Sequence, residues 1–172
     1  MGGRRRIAVF CLGIVVVTLL ISCSSAPVRT VVYETRSAFE RIYVVEKGEV
    51  RCLRFGSPSG DDQSCISLKD PDTVVLEYLA RVPIGLALAG KLRRMLMIGL
   101  GGGSLVRLLL PRVPELRMTV VEIDPVVVDV ARKYFGVSAS ERLTIVVQDG
   151  RRYVEGCRER FDAIVLVCKI PY

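Results

Sequence analysis

The sequence predicts an α/β protein in which an incomplete parallel sheet with covering helices follows a small N-terminal β module. Three observations lead there. Of the 172 residues, 51% are hydrophobic but only 6% aromatic, with no Trp, and the apolar residues are mostly Val, Leu and Ile, as strands buried on both faces require. Short apolar runs alternate with helical patterns from Met95 to Val167. A glycine cluster, Gly99-Leu100-Gly101-Gly102-Gly103, falls between the first of those runs and the first helix.

The elements follow in order. Arg4-Arg5-Arg6 precede an unbroken apolar run from Ile7 to Ile21, the pattern of an export signal. Its length, about 15 residues, is below the roughly 20 that span a bilayer. The run ends in Leu20-Ile21-Ser22-Cys23, which looks like the lipobox of bacterial lipoproteins, so residues 1–22 are expected to be a signal peptide and Cys23 the lipidated residue. That places the protein in the cell envelope, anchored to a membrane by its lipid. With Ser24 after the cysteine, the expected location in a Gram-negative host is the periplasmic side of the outer membrane. Residues 23–36 read as a tether. A small β-hairpin module over 37–69 follows, with a hairpin from Arg41 to Phe55 around Lys47-Gly48 and a third strand from Gln63 to Leu68.

Residues 70–172 form the larger unit. Asp70-Pro71-Asp72 opens a helical stretch reaching about Ala89. Strands are expected at Met95–Ile98, Met118–Val121, Leu143–Val147 and Ala163–Val167. Helices are expected from Ser104 to about Leu110, from Pro125 to Gly136 with Asp124 as N-cap, and from Arg151 to Cys157. This β-α-β-α alternation with right-handed crossovers builds a Rossmann-like sheet. An apolar edge at Ile164–Val167 invites pairing with a second copy of the chain.

Charge and cysteine content exclude several functions. Three of the +7 net charges belong to Arg4–Arg6, and the remaining basic residues come as scattered pairs such as Arg93-Arg94 and Arg151-Arg152, which is no nucleic-acid footprint. Histidine is absent, so His-dependent nucleophilic triads are excluded, and without a C-x-x-C pair no zinc site is expected. Cys52 and Cys65 are placed either to form a disulfide across the β module or to remain buried thiols.

The chemistry lies in the glycine cluster. Lacking Cβ atoms, Gly99, Gly101 and Gly103 let the chain turn sharply and let a ligand approach closely, while Glu122 follows Gly103 by 19 residues, at the end of the next strand, where a carboxylate can accept both ribose hydroxyls. Ser104 stands where a dinucleotide fingerprint wants a third Gly or Ala, and no Gly-Lys-Ser/Thr follows, so a nucleoside without pyrophosphate, of the S-adenosyl type, fits better than NAD or a nucleoside triphosphate. The alternative is a tight turn that only permits close helix–sheet packing. Asp149-Gly150 after the third strand either faces the adenine amino group or is an ordinary N-cap turn.

From about Ser37 to Leu166 the sequence resembles the polyamine aminopropyltransferases, spermidine synthase and its bacterial relatives. The resemblance rests on Ser37-Ala38-Phe39-Glu40-Arg41-Ile42, Gln63-Ser64, Ile98 to Ser104, Val121-Glu122-Ile123-Asp124-Pro125, Ala131 to Phe135, Gln148-Asp149-Gly150-Arg151 and Phe161 to Leu166. It implies a fold of the S-adenosylmethionine-dependent methyltransferase type and a nucleoside thioether site built from the glycine loop, Glu122, Asp149, Gly150 and Gln63. It also implies decarboxylated S-adenosylmethionine or S-adenosylmethionine as co-substrate, no metal, and a polyamine lying between the β module and the sheet. The family's Asp-x-x-Asp-Pro acids, which receive the amine proton and the polyamine cations, are replaced here by Val167-Cys168-Lys169-Ile170-Pro171. The sequence thus leaves open an aminopropyltransferase, a small-molecule methyltransferase, and a non-catalytic exported lipoprotein or shortened gene product that keeps the nucleoside fold.

Overall fold

The structure, a computed structural model, describes residues 28–70, 73, 75, 76, 81, 82, 85, 86 and 90–167. It is a mixed α/β architecture of two four-stranded sheets. The first is antiparallel, in the order β1 (Arg29–Arg36), β2 (Arg41–Lys47), β3 (Val50–Phe55), β4 (Asp62–Ser67). The Lys47-Gly48 hairpin forms as expected, with Gly48 at φ 58°.

The expected tether over residues 23–36 is corrected by β1, which pairs with β2 from Arg29 opposite Lys47 to Arg36 opposite Arg41. The register shifts between Val31 and Tyr33, a bulge that breaks the alternation on which a strand is recognised. Beyond it Tyr33 and Thr35 turn inward, and the Tyr33 ring stacks on Tyr134 at 4.8 Å. The signal peptide and Cys23 lie outside the described residues. In the stretch expected to be helical over 70–89, Arg81, Val82, Gly85 and Leu86 are helical and most of the rest is outside the described residues.

The second sheet is wholly parallel, in the order β7 (Leu143–Val147), β6 (Arg117–Glu122), β5 (Arg94–Ile98), β8 (Ala163–Leu166). Three helices connect these strands, α1 (Ser104–Arg112), α2 (Pro125–Phe135) and α3 (Gly150–Gly156). Right-handed crossovers put α1 and α2 on one face and α3 on the other. Met95, Met97, Met118 and Val120 are accordingly buried under Leu105, Leu109, Val128 and Ala131. The caps of α2 match the sequence: Asp124 accepts from Val126 N at 2.9 Å, and Gly136 closes the helix at φ 70°. Helix α1 continues through Pro111 to Arg112, because a proline in the last turn forfeits only one backbone bond.

The first sheet packs against α2. Ile42, Val44, Leu53 and Ile66 of the first sheet pack on Val127, Val130 and Phe135 of α2. At the far end of β5, Asp162 accepts from the backbone N–H groups of Arg94 and Arg93 at 2.8 Å each, which holds its carboxyl below the usual carboxylate range and ties β8 to β5. On β8 itself Ala163 and Val165 join the core, whereas Ile164 and Leu166 are 56% and 69% exposed.

Cys52 and Cys65 face each other across β3 and β4 and form a disulfide, which settles the alternative left by the sequence. It closes a loop of 13 residues in sequence separation, so the Cys52→Ala/Cys65→Ala double variant should lose about 3 kcal/mol of stability by denaturant melt. An unchanged melting midpoint, with or without reductant, would contradict that.

Candidate functional site

The carboxyl ends of the parallel strands open into a cavity of about 630 Å³. Its floor is the bend after β5. Gly99, Gly101 and Gly103 all have positive φ, at 90°, 55° and 71°, a conformation that side chains with a Cβ rarely tolerate. Their tasks differ. A Cβ on Gly99 would stand 2.0 Å from the Val167 carbonyl oxygen, so this glycine lets β5 and the end of β8 approach. One on Gly101 would meet nothing nearer than 3.9 Å, so this position faces open space and lets a ligand close in on the backbone. One on Gly103 would stand 2.2 Å from Val137 Cγ2. Gly103 does not line the cavity: it is the N-cap of α1 and a packing contact, so its expected ligand role is replaced by a structural one.

Glu122 ends β6 and is 8% exposed. Its Oε2 accepts from Leu100 N in the glycine bend at 2.7 Å, and its Oε1 accepts from Asp124 N at 3.1 Å. The carboxylate therefore points at the bend. Each oxygen keeps lone-pair capacity for a further donor, the requirement for gripping two vicinal hydroxyls.

Of the other expected residues, Gln63, Asp149 and Gly150 line the same cavity. Asp149 Oδ1 accepts from Arg152 N at 2.9 Å, so this residue caps α3 while lining the cavity. Gly150 brings α3 onto β5, since a Cβ there would be 2.6 Å from Ile98 Cγ2. Gln63 comes from β4 of the antiparallel sheet, and its Nε2 donates to Asp61 O at 3.3 Å. The wall carrying it is locked to α1 by a buried 2.8 Å hydrogen bond between the Ser64 and Ser104 hydroxyls. That is what the serine in place of the third dinucleotide glycine does.

Sequence reasoning missed Phe55, Asp62 and the apolar lining from Ile98, Ile123 and Val165 to Val167. Asp62 adjoins Gln63, yet its ion-pair partner, Arg54, sits on the neighbouring strand, and that pairing is invisible in a linear pattern. The ligand atoms of Cys52, Cys65 and Asp62 lie within 4.8 Å of one another, but with the two sulfurs bonded together they offer no thiolates to a metal.

The polyamine aminopropyltransferase of Vibrio vulnificus is 34% identical over 152 residues, covering 86% of this chain and 51% of that protein. The crystal structure of spermidine synthase from Thermotoga maritima aligns at a TM-score of 0.64 with 23% identity, over 83% of this chain and 48% of its own. A spermidine synthase in complex with the transition-state analogue AdoDATO aligns at 0.63 with 23% identity, over 80% of this chain and 47% of its own. These two structures establish the likeness of fold. The chain spans about half the length of the relatives it matches. Residues 73–172 match the spermine/spermidine synthase domain, and the chain belongs to that family.

Proposed function

We propose that this chain provides the donor half of an aminopropyltransferase site, holding decarboxylated S-adenosylmethionine so that its aminopropyl group can pass to a polyamine. The observation that carries the reading is the Glu122 carboxylate, buried at the rim of the cavity and bonded to the glycine bend, where ribose hydroxyls can replace water as its remaining donors. Asp149 supplies an acceptor for an adenine amino group, and Gln63 adds a polar side chain to the same cavity. In aminopropyl transfer an unprotonated amine attacks the carbon beside the sulfonium. The C–S bond breaks with its electron pair going to sulfur, methylthioadenosine departs, and the new ammonium loses a proton. The chain's own residues hold the nucleoside that carries this leaving group.

Calorimetric titration with methylthioadenosine tests the reading. Saturable one-to-one binding is expected, and a flat titration up to the ligand's solubility limit would overturn it.

We propose also that the domain is exported and tethered to a membrane by lipid on Cys23. The Arg-rich start, the apolar run ending in Leu20-Ile21-Ser22-Cys23 and the Cys52–Cys65 disulfide support this. Labelled palmitate incorporated by the wild type and lost in Cys23→Ser is the expected result; equal labelling of both, or of neither, would contradict it.

A further inference from the structure

We infer that Asp62, fixed by the buried Arg54, selects the tail of the bound nucleoside by accepting a hydrogen bond from a terminal ammonium and repelling a terminal carboxylate. The inference rests on the nucleoside reading above and adds a residue to it.

Arg54 is only 5% exposed although it carries a charge, so its contacts must compensate for lost hydration. Its Nε and Nη2 both reach Asp62 Oδ1, at 2.6 and 2.5 Å, and its Nη1 donates to Pro58 O at 3.0 Å. One guanidinium thus ties down the loop between β3 and β4 at Pro58 and fixes the first residue of β4. Both contacts to the carboxylate go to Oδ1. Among the described residues no other group hydrogen-bonds the Asp62 carboxylate, so Oδ2 is left to accept from outside, and Asp62 lines the cavity with its side chain 35% exposed.

The other two carboxylates of the cavity are already engaged by backbone donors, Glu122 by Leu100 and Asp124, and Asp149 by Arg152. Those two stand on the parallel sheet at the nucleoside end. Asp62 lies instead in the antiparallel sheet, beside Gln63, and lines the cavity together with Phe55, so of the three carboxylates it is the one available to the part of the ligand that extends away from the ribose. The glycine bend itself carries no acid, and a side chain at Gly102 has no room, since its Cβ would be 2.8 Å from Ser64 Cβ. An ionised carboxylate accepts hydrogen bonds and donates none. The wall therefore favours an aminopropyl tail over an amino-acid tail, whose carboxylate would face Asp62.

Three stable thioethers separate the parts: methylthioadenosine, which has no charged tail; S-adenosyl-3-thiopropylamine, which has an amine; and S-adenosylhomocysteine, which has an amine and a carboxylate. The wild type should bind the amine about tenfold more tightly than methylthioadenosine, one charge-assisted hydrogen bond's worth, and S-adenosylhomocysteine more weakly than the amine. Asp62→Asn, which still offers Arg54 an oxygen, should lose both differences and keep its affinity for methylthioadenosine. If the wild type already binds all three alike, or Asp62→Asn keeps the wild-type ranking, the inference fails while the nucleoside site stands. If none of the three binds the wild type, the nucleoside reading itself fails, and this inference with it.

Discussion

Glu122→Gln is expected to weaken methylthioadenosine binding by about a hundredfold, because two hydrogen bonds from ligand hydroxyls to a charged acceptor are lost or reversed together. In the protein alone both carboxylate oxygens accept from backbone N–H groups, of Leu100 and of Asp124. A glutamine in the same place must turn its NH2 towards one of those donors, which sets two donors against each other. The variant should therefore also be less stable, by about 1–3 kcal/mol, the cost of leaving a buried donor unpaired. Denaturant melts set that loss apart from the affinity loss measured by calorimetry on the folded fraction. Affinity within a factor of about three of wild type would show that the carboxylate serves only to pin the bend.

Gly103→Ala should be the more damaging change to the fold. The position combines φ 71° with a Cβ site 2.2 Å from Val137 Cγ2, and Val137 is 4% exposed with little room to retreat. Left-handed backbone costs roughly 1–2 kcal/mol for a residue with a Cβ, and overpacking a filled core adds about 1–3 kcal/mol. A total near 3 kcal/mol is a large share of the roughly 5–15 kcal/mol that holds a domain folded. Pairing it with Val137→Ala should return the steric part and leave the backbone part. Gly101→Ala is the contrast, with φ 55° but no atom nearer than 3.9 Å to its Cβ, so it should cost only the backbone strain in stability and act mainly on ligand approach. Equal stability losses at the two glycines would contradict the division between a packing glycine and a ligand-facing one.

The parts legible in the sequence are those whose cause is local. The hairpin at Lys47-Gly48, the Asp124–Pro125 start and Gly136 end of α2, and the bend between β5 and α1 each follow from residues within a few positions of one another. Glu122 was legible because the end of the second parallel strand lies beside the end of the first, so spacing alone brings the acid to the bend. Where the cause is distant, the sequence was silent or misleading. The bulge at Val31 hid β1, whose pairing depends on β2. Gly103 has the same signature as Gly101, yet its task is set by Val137, which returns from beyond α2. Asp62 gains its place through an arginine on the adjacent strand, and the Cys52–Cys65 bond depends on a register that neither cysteine reveals alone.

The most direct measurement is a crystal structure of the chain grown with methylthioadenosine. The nucleoside should lie in the cavity at the ends of β5 and β6, with both ribose hydroxyls within hydrogen-bonding distance of the Glu122 carboxylate and the adenine beside Asp149. A ligand bound elsewhere, or one in the cavity with its ribose turned away from Glu122, would contradict it.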